Sequence, residues 1–287
     1  MKPIHVVASQ DSIGEGPLWN VPEQAIYWLD ITGKKLHRYY VDSKKYETFD
    51  MEKRIGVIAF RKQGGLILGA EDSFYFWDAN RQVMKFISHP EIGKTEARFN
   101  DGKVDRKGRF WAGTMTAEGA TSALYRVDPD LSVHQMVSGV TISNGIGWSP
   151  DNKTMYFADL NRHVIHTFDF DLQSGAISHK RDFVKLDESF GVPDGLTVDT
   201  EGYVWFAVYD GWKVMRYSPD GNVAGEINMP VSRPSSCMFG GKDLTDLYIT
   251  TISEGLSDQE KAQQPLAGDL FVVHAAGKGL PETDFEG

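Results

Sequence analysis

Four short stretches of this chain set an oxygen-bearing side chain immediately before a glycine. They read Gly14-Glu15-Gly16-Pro17, Asn100-Asp101-Gly102-Lys103, Ser143-Asn144-Gly145-Ile146 and Pro193-Asp194-Gly195-Leu196. Carboxylates and an amide carbonyl gathered at one point make a hard, all-oxygen donor set, the kind that holds Ca²⁺, Mg²⁺ or Mn²⁺; Zn²⁺ can also load such a set because its intrinsic affinity is high. A cation held with open positions leaves room for water and a substrate carbonyl. Asp-Gly and Asn-Gly are also ordinary turn signals. That bland reading accounts for Asp101 and Asn144 but poorly for Glu15, since Glu has no such turn preference.

Residues this far apart meet only if a repeat brings them together. A β-rich segment recurs around Tyr27, Ile67, Trp111, Tyr156, Trp205 and Tyr248, at spacings of 40, 44, 45, 49 and 43. Each copy is followed by a second aromatic-rich strand, such as Ala123-Leu124-Tyr125-Arg126-Val127, with Gly/Asp/Pro turns between them. No apolar spacing sustains a helical period. Six such units, about four strands each, describe an all-β six-bladed β-propeller, in which packing blade against blade buries both faces of every sheet. The first strand of each unit then lies nearest the axis. The residue before the glycine in that slot is Glu15, Ile55, Asp101, Asn144 and Asp194 in the first five units; the sixth reads Ser235-Ser236-Cys237. The last unit has no clear fourth strand, and Ile4-His5-Val6-Val7-Ala8 is an orphan, so the N-terminal strand is predicted to close the last blade. Residues 1–287 read as a single domain, with Glu254–Gly268 a polar loop and Lys278–Gly287 a loop or frayed end.

Bulk properties narrow the function classes. A net charge of −10 argues against a nucleic-acid partner, which calls for a basic face. No apolar run approaches the length of about 20 residues that spans a bilayer. The single cysteine, Cys237, excludes an internal disulfide framework, reads as a small core residue, and suits a reducing, cytoplasmic setting. There is no nucleophile elbow, zinc-protease helix motif, phosphate loop or dinucleotide fingerprint. The histidines, His37, His134 and His166 among them, fall in blade strands and read as surface or half-buried; the seven tryptophans read as blade packing.

The strings Gly14-Glu15-Gly16-Pro17-Leu18-Trp19, Arg98-Phe99-Asn100-Asp101-Gly102-Lys103, Ser143-Asn144-Gly145-Ile146 and Pro193-Asp194-Gly195 together resemble the SMP-30/gluconolactonase/regucalcin family. The likeness runs from about residue 10 to about residue 275, with the motifs in the family's order. It implies one divalent metal, Ca²⁺ before Mg²⁺, Mn²⁺ or Zn²⁺, held in the channel by Glu15, Asn144 and Asp194. It also implies that Arg98, Asn100 and the loop residue Glu118 contact substrate, and that Asp194 doubles as general base. The expected reaction is hydrolysis of a sugar (aldono-)lactone by a monomer or weak homo-oligomer. Two other readings stay open from the residues: a phosphotriesterase-type hydrolase on the same site, or a non-enzymatic calcium-binding scaffold.

Overall fold

The computed structural model describes residues 1–94, 97–116 and 119–287. Among these residues the strands form six four-stranded antiparallel sheets, each hydrogen-bonded in chain order except the last. The strands Gly14–Asn20, Ile55–Phe60, Arg98–Val104, Ser143–Trp148, Val192–Val198 and Pro234–Gly240 are the inner edges of blades 1 to 6. They pack successively on one another and close a ring, blade 6 meeting blade 1. The sixth sheet takes its outermost strand from the N-terminus: Ile4–Val7 pairs with Leu270–Val273 through Ile4↔Val272 and His5↔Phe271. The ring is thereby latched by hydrogen bonds between the two ends of the repeat, as the orphan strand predicts.

Apolar side chains on both faces of each sheet go into the seams between blades. Leu18, Tyr27 and Leu29 meet Ile55, Leu66 and Trp77 between blades 1 and 2. Trp205 and Val214 meet Cys237, Phe239 and Ile249 between blades 5 and 6. Cys237 is a core thiol, its pKa raised by burial to about 12. Indole nitrogens in these seams donate to carboxylates at strand ends: Trp28 to Asp11 at 2.8 Å, Trp111 to Asp105 at 2.9 Å and Trp205 to Asp199 at 2.9 Å.

Three expectations are corrected. The segment Glu254–Gly268 contains a short helix, Asp258–Gln263, started by a capping box in which Ser257 and Glu260 satisfy each other's backbone N–H. The C-terminal tail is docked rather than frayed. Thr200 donates to the Lys278 carbonyl, Phe285 exchanges backbone bonds with Phe60 and Lys62, and the Phe285 ring is 0% exposed. His37 and His166 are buried, paired with Asp11 at 3.0 Å and Asp182 at 2.9 Å; His134 is half-exposed. No described helix is long and apolar enough to cross a membrane.

Candidate active site

The inner strands all run the same way, so their first residues share one mouth of the ring. Each strand breaks register with its neighbour at the slot. Pairing jumps from Glu15↔Leu29 to Leu18↔Tyr27, from Phe99↔Thr114 to Asp101↔Gly113, from Ser143↔Asp159 to Ile146↔Phe157, and from Pro193↔Val208 to Leu196↔Phe206. Such bulges re-aim side chains that a regular pleat would send into the seams. The glycine after the slot is a packing requirement: a Cβ on Gly145 would lie 2.6 Å from the Asp194 carbonyl, and one on Gly195 would strike the Ser236 side chain. Blades 4, 5 and 6 can therefore approach closely at this level, and the slot residues of blades 4 and 5 share a space. The approach to the slots is pinned as well. Asp30 accepts from the Ser12 and Ile13 N–H groups at 3.1 Å each, and Asp159 accepts from the Thr141 N–H at 3.1 Å and from its hydroxyl.

Glu15, Arg98, Asn100, Asn144 and Asp194 line one cavity of about 550 Å³ at this mouth. Arg98 donates to the Asn100 Oδ1 at 2.7 Å, and the Asn100 amide donates to the Ser143 carbonyl at 2.9 Å, which joins blade 3 to the strand carrying Asn144. Because Asn100 is the bulged residue of blade 3, it takes the cavity-facing place, and the slot residue Asp101 turns down the channel beside Lys103. Ile55 goes into the core, and Ser235 of blade 6 donates to the Gly14 carbonyl at 2.5 Å, tying the ring instead of lining the cavity. Glu118 lies outside the described residues. Tyr209 and Glu254 also line the cavity, as do Ile13, Ile142 and Val192. These last three, like Arg98 in blade 3, stand two residues before the slot or bulge residue of their strand. That constant offset is the signal that could have found them.

Two buried carboxylates, Glu15 and Asp194, and the half-buried Asp101 lie within electrostatic reach of one another. Burial, then the Asp101 charge, pushes Glu15 up to about 8. Burial, then Glu15 and Asp101, raises Asp194 well above the usual carboxylate range, with Asn144 and the Gly195 N–H acting in the opposite sense. Burial lifts Asp101 to about 6. Arg98 is brought down to about 10 by burial and by Arg54, partly offset by Glu15, Glu254 and Asp194. Two buried oxygens, Asn144 Oδ1 and Asp194 Oδ1, have no hydrogen-bond partner among the described residues. Buried acceptors without partners are costly and call for an explanation, an ion being one. Among the described residues no three His, Cys, Asp or Glu side chains converge on one point, and the Asn144 amide adds a further oxygen beside the Glu15 and Asp194 carboxylates. The donors that remain are all oxygen, which suits a hard divalent cation.

A family profile described as the SMP-30/Gluconolactonase/LRE-like region matches residues 13–253, a span that takes in Glu15, Arg98, Asn100, Asn144 and Asp194. The chain belongs to this family. Regucalcin from Danio rerio is 36% identical to it over 288 residues, covering 98% of this chain and 97% of the relative. A 6-deoxy-6-sulfogluconolactonase from Pseudomonas putida is 37% identical over 286 residues, covering 98% of each. The fold is shared with a crystal structure of regucalcin, described as a calcium-binding protein, from Agrobacterium tumefaciens; it superposes with a TM-score of 0.94 at 24% identity, over 98% of this chain and 96% of that one.

Proposed function

We propose that this chain is a lactonase: a hydrolase that opens a small cyclic ester at the ring mouth, using a divalent cation held by Glu15, Asn144 and Asp194. The observation that carries this reading is the pair of partnerless buried oxygens, Asn144 Oδ1 and Asp194 Oδ1, in a cavity that also holds Arg98 and Asn100 and is large enough for a sugar-sized ring. Family membership and the sulfogluconolactonase relative supply the reaction class. Ca²⁺ is the first choice of ion, since carboxylate and amide oxygens with room for waters are its usual surroundings.

When bound, a divalent cation supplies Lewis-acid polarisation of the ester carbonyl, a contribution of several kcal/mol in general. The protein's own residues do the rest. Arg98 is held by the Asn100 and Phe99 oxygens, at 2.7 and 3.0 Å, so its remaining N–H groups are fixed for a substrate oxygen. Asn100, fixed by Ser143, orients a ring hydroxyl, and Glu118 is assigned as a further hydrogen-bond partner from its loop. Asp194 takes a proton as water adds to the carbonyl carbon. The ring C–O bond then breaks, and the departing alkoxide receives that proton. The product is a hydroxy acid, which ionises and releases one proton to solvent.

That released proton is the assay. Titration at constant pH on a panel of aldonolactones should show turnover that a chelator abolishes and Ca²⁺ restores. Asp194→Asn should lower kcat/KM by about 10²–10⁴-fold, the usual worth of a positioned acid–base group, with the fold retained. Turnover indifferent to chelator, or undiminished in Asp194→Asn, defeats the proposal.

A further inference from the structure

The cavity is two-sided. On blade 3 stand Arg98 and Asn100. Among the described residues, the apolar part of the wall is built by Ile13, Met115, Ile142, Leu160, Val192 and Ile252, drawn from blades 1, 3, 4, 5 and 6, with Asn161 and Tyr209 as polar neighbours at its edge. The arrangement is systematic. Where blade 3 places Arg98 two residues before its bulge, blades 1, 4 and 5 place Ile13, Ile142 and Val192 two residues before their slots. Ile13 and Ile252 are further locked side by side by a backbone bridge, and Met115 and Ile142 by another. A hydroxyl set directly against these apolar side chains finds no partner on them, whereas an apolar, hydroxyl-free substituent fits them.

Charge points the same way. Among the described residues lining the cavity, Arg98 is the one cation, while Glu188, Asp210 and Glu254 stand at its exposed rim. Nearby basic groups are already engaged: Arg54 with Glu71 at 2.8 Å, Lys53 with Asp72 at 3.0 Å and Arg233 with Asp210 at 2.6 Å. An anionic ring substituent would meet carboxylates or the apolar wall.

The geometry points to an amphipathic, uncharged lactone as the substrate: hydroxyls along the edge that meets Arg98 and Asn100, and an alkyl, deoxy-type substituent against the Ile142–Leu160–Val192 side. This rests on the lactonase reading and narrows it. One methylene or hydroxyl in an apolar pocket shifts specificity by about 10–200-fold. The test is a set of δ-lactones in several matched stereochemical series, each offered as the 6-deoxy compound, its 6-hydroxy parent and the parent's 6-phosphate, assayed on the Ca²⁺-loaded protein. The 6-deoxy compound should exceed its parent in kcat/KM by about 10-fold or more in the series that turns over, and the 6-phosphate should fall below both. Ile142→Thr and Leu160→Gln should each reduce the deoxy-to-parent ratio several-fold; being a ratio within one preparation, it is unaffected by how much of the variant is folded. Lactone turnover with no deoxy preference, or with the phosphate preferred, overturns this inference alone. A ratio unchanged in both variants overturns the role given to the wall. No turnover of any lactone removes the lactonase reading and this inference with it.

Discussion

At the scale of single residues, the site gathers buried carboxylates that the folded chain holds at a cost, a cost that the proposed cation would offset. Glu15 is pushed up to about 8 by burial and by Asp101, and Asp194 is raised by burial and by Glu15, so the cation-free folded state retains protons that the unfolded chain has already lost. A group with a raised folded pKa contributes stability that is full below its unfolded pKa and disappears as pH climbs through the folded one. His166 works in the other direction: burial lowers it, so its contribution is present above the ordinary histidine value and is lost on acidification. The two effects separate between about pH 6.5 and 8.5, where the histidine term is complete and the Glu15 term is still falling. Chelator-treated protein should therefore melt at a progressively lower temperature across that interval. Glu15→Gln should flatten the decline, and excess Ca²⁺ should remove it by holding the carboxylates ionised. A melting temperature that rises with pH in the chelated protein would contradict the buried acidic cluster. Glu15, Asn144 and Asp194 are legible from sequence because a polar residue before glycine repeats at strand starts. The apolar half of the cavity is not, because Ile13, Ile142 and Val192 are residue types that any strand uses, and only their shared offset from the slot sets them apart.

At the scale of elements, the bulge and its glycine decide which side chains meet. Asn100 and Asp101 illustrate this. The slot pattern points to Asp101, yet the extra residue in blade 3 falls at Asn100 and gives it the cavity, leaving Asp101 lower in the channel. No one-dimensional pattern reveals where a register break falls, since it depends on pairing with Thr114 and Gly113 on the next strand. The contact at Gly145 offers a direct check on this geometry. An added methyl would sit 2.6 Å from both the Asp194 carbonyl and the Leu196 N–H, backbone atoms that cannot rotate away. Gly145→Ala should force blades 4 and 5 apart at their inner edges, with an overpacking cost of about 1–3 kcal/mol. Because Asn144 and Asp194 flank that contact, Ca²⁺ affinity should drop together with stability, and calorimetric titration of the variant against the parent protein reads it. A variant that loses stability but binds Ca²⁺ as before would mean that the two side chains do not share an ion. The short helix Asp258–Gln263 shows the opposite relation between pattern and structure: its Ser257/Glu260 capping box is written plainly in the chain, but six residues are too few to show a helical apolar period.

At the scale of the whole molecule, the two mouths of the ring do different work. The first residues of the inner strands surround the cavity, whereas the C-terminal tail crosses the mouth where those strands end. It bridges Asp199 of blade 5 through Gly279, bonds Arg106 in the turn after the inner strand of blade 3 through Pro281 and Thr283, and pairs with Phe60 and Lys62 of blade 2 through Phe285. The tail looks frayed in sequence because Phe285 is one aromatic among polar residues, and its partners lie some two hundred positions away in blades 2 and 3. Folded, it joins Val57, Ala59, Phe74 and Phe110 in the seam between those blades, with its ring tilted against that of Phe76 at 6.3 Å. Replacing a buried phenylalanine with alanine costs about 3–5 kcal/mol, through lost burial and the cavity left behind. Phe285→Ala should therefore lower stability by about that amount in denaturant unfolding. The slot residues sit at the far end of the same strands, held by Asp30, Asp159 and the Arg98–Asn100–Ser143 chain, none of which touches the tail. Below its melting transition the variant should keep its kcat/KM for lactone. A large fall in activity without a fall in stability would show that closure of one mouth is coupled to chemistry at the other, through inner strands that shift as rods; a fall in stability alone places the tail's role in holding blades 2, 3 and 5 together around a site it does not touch.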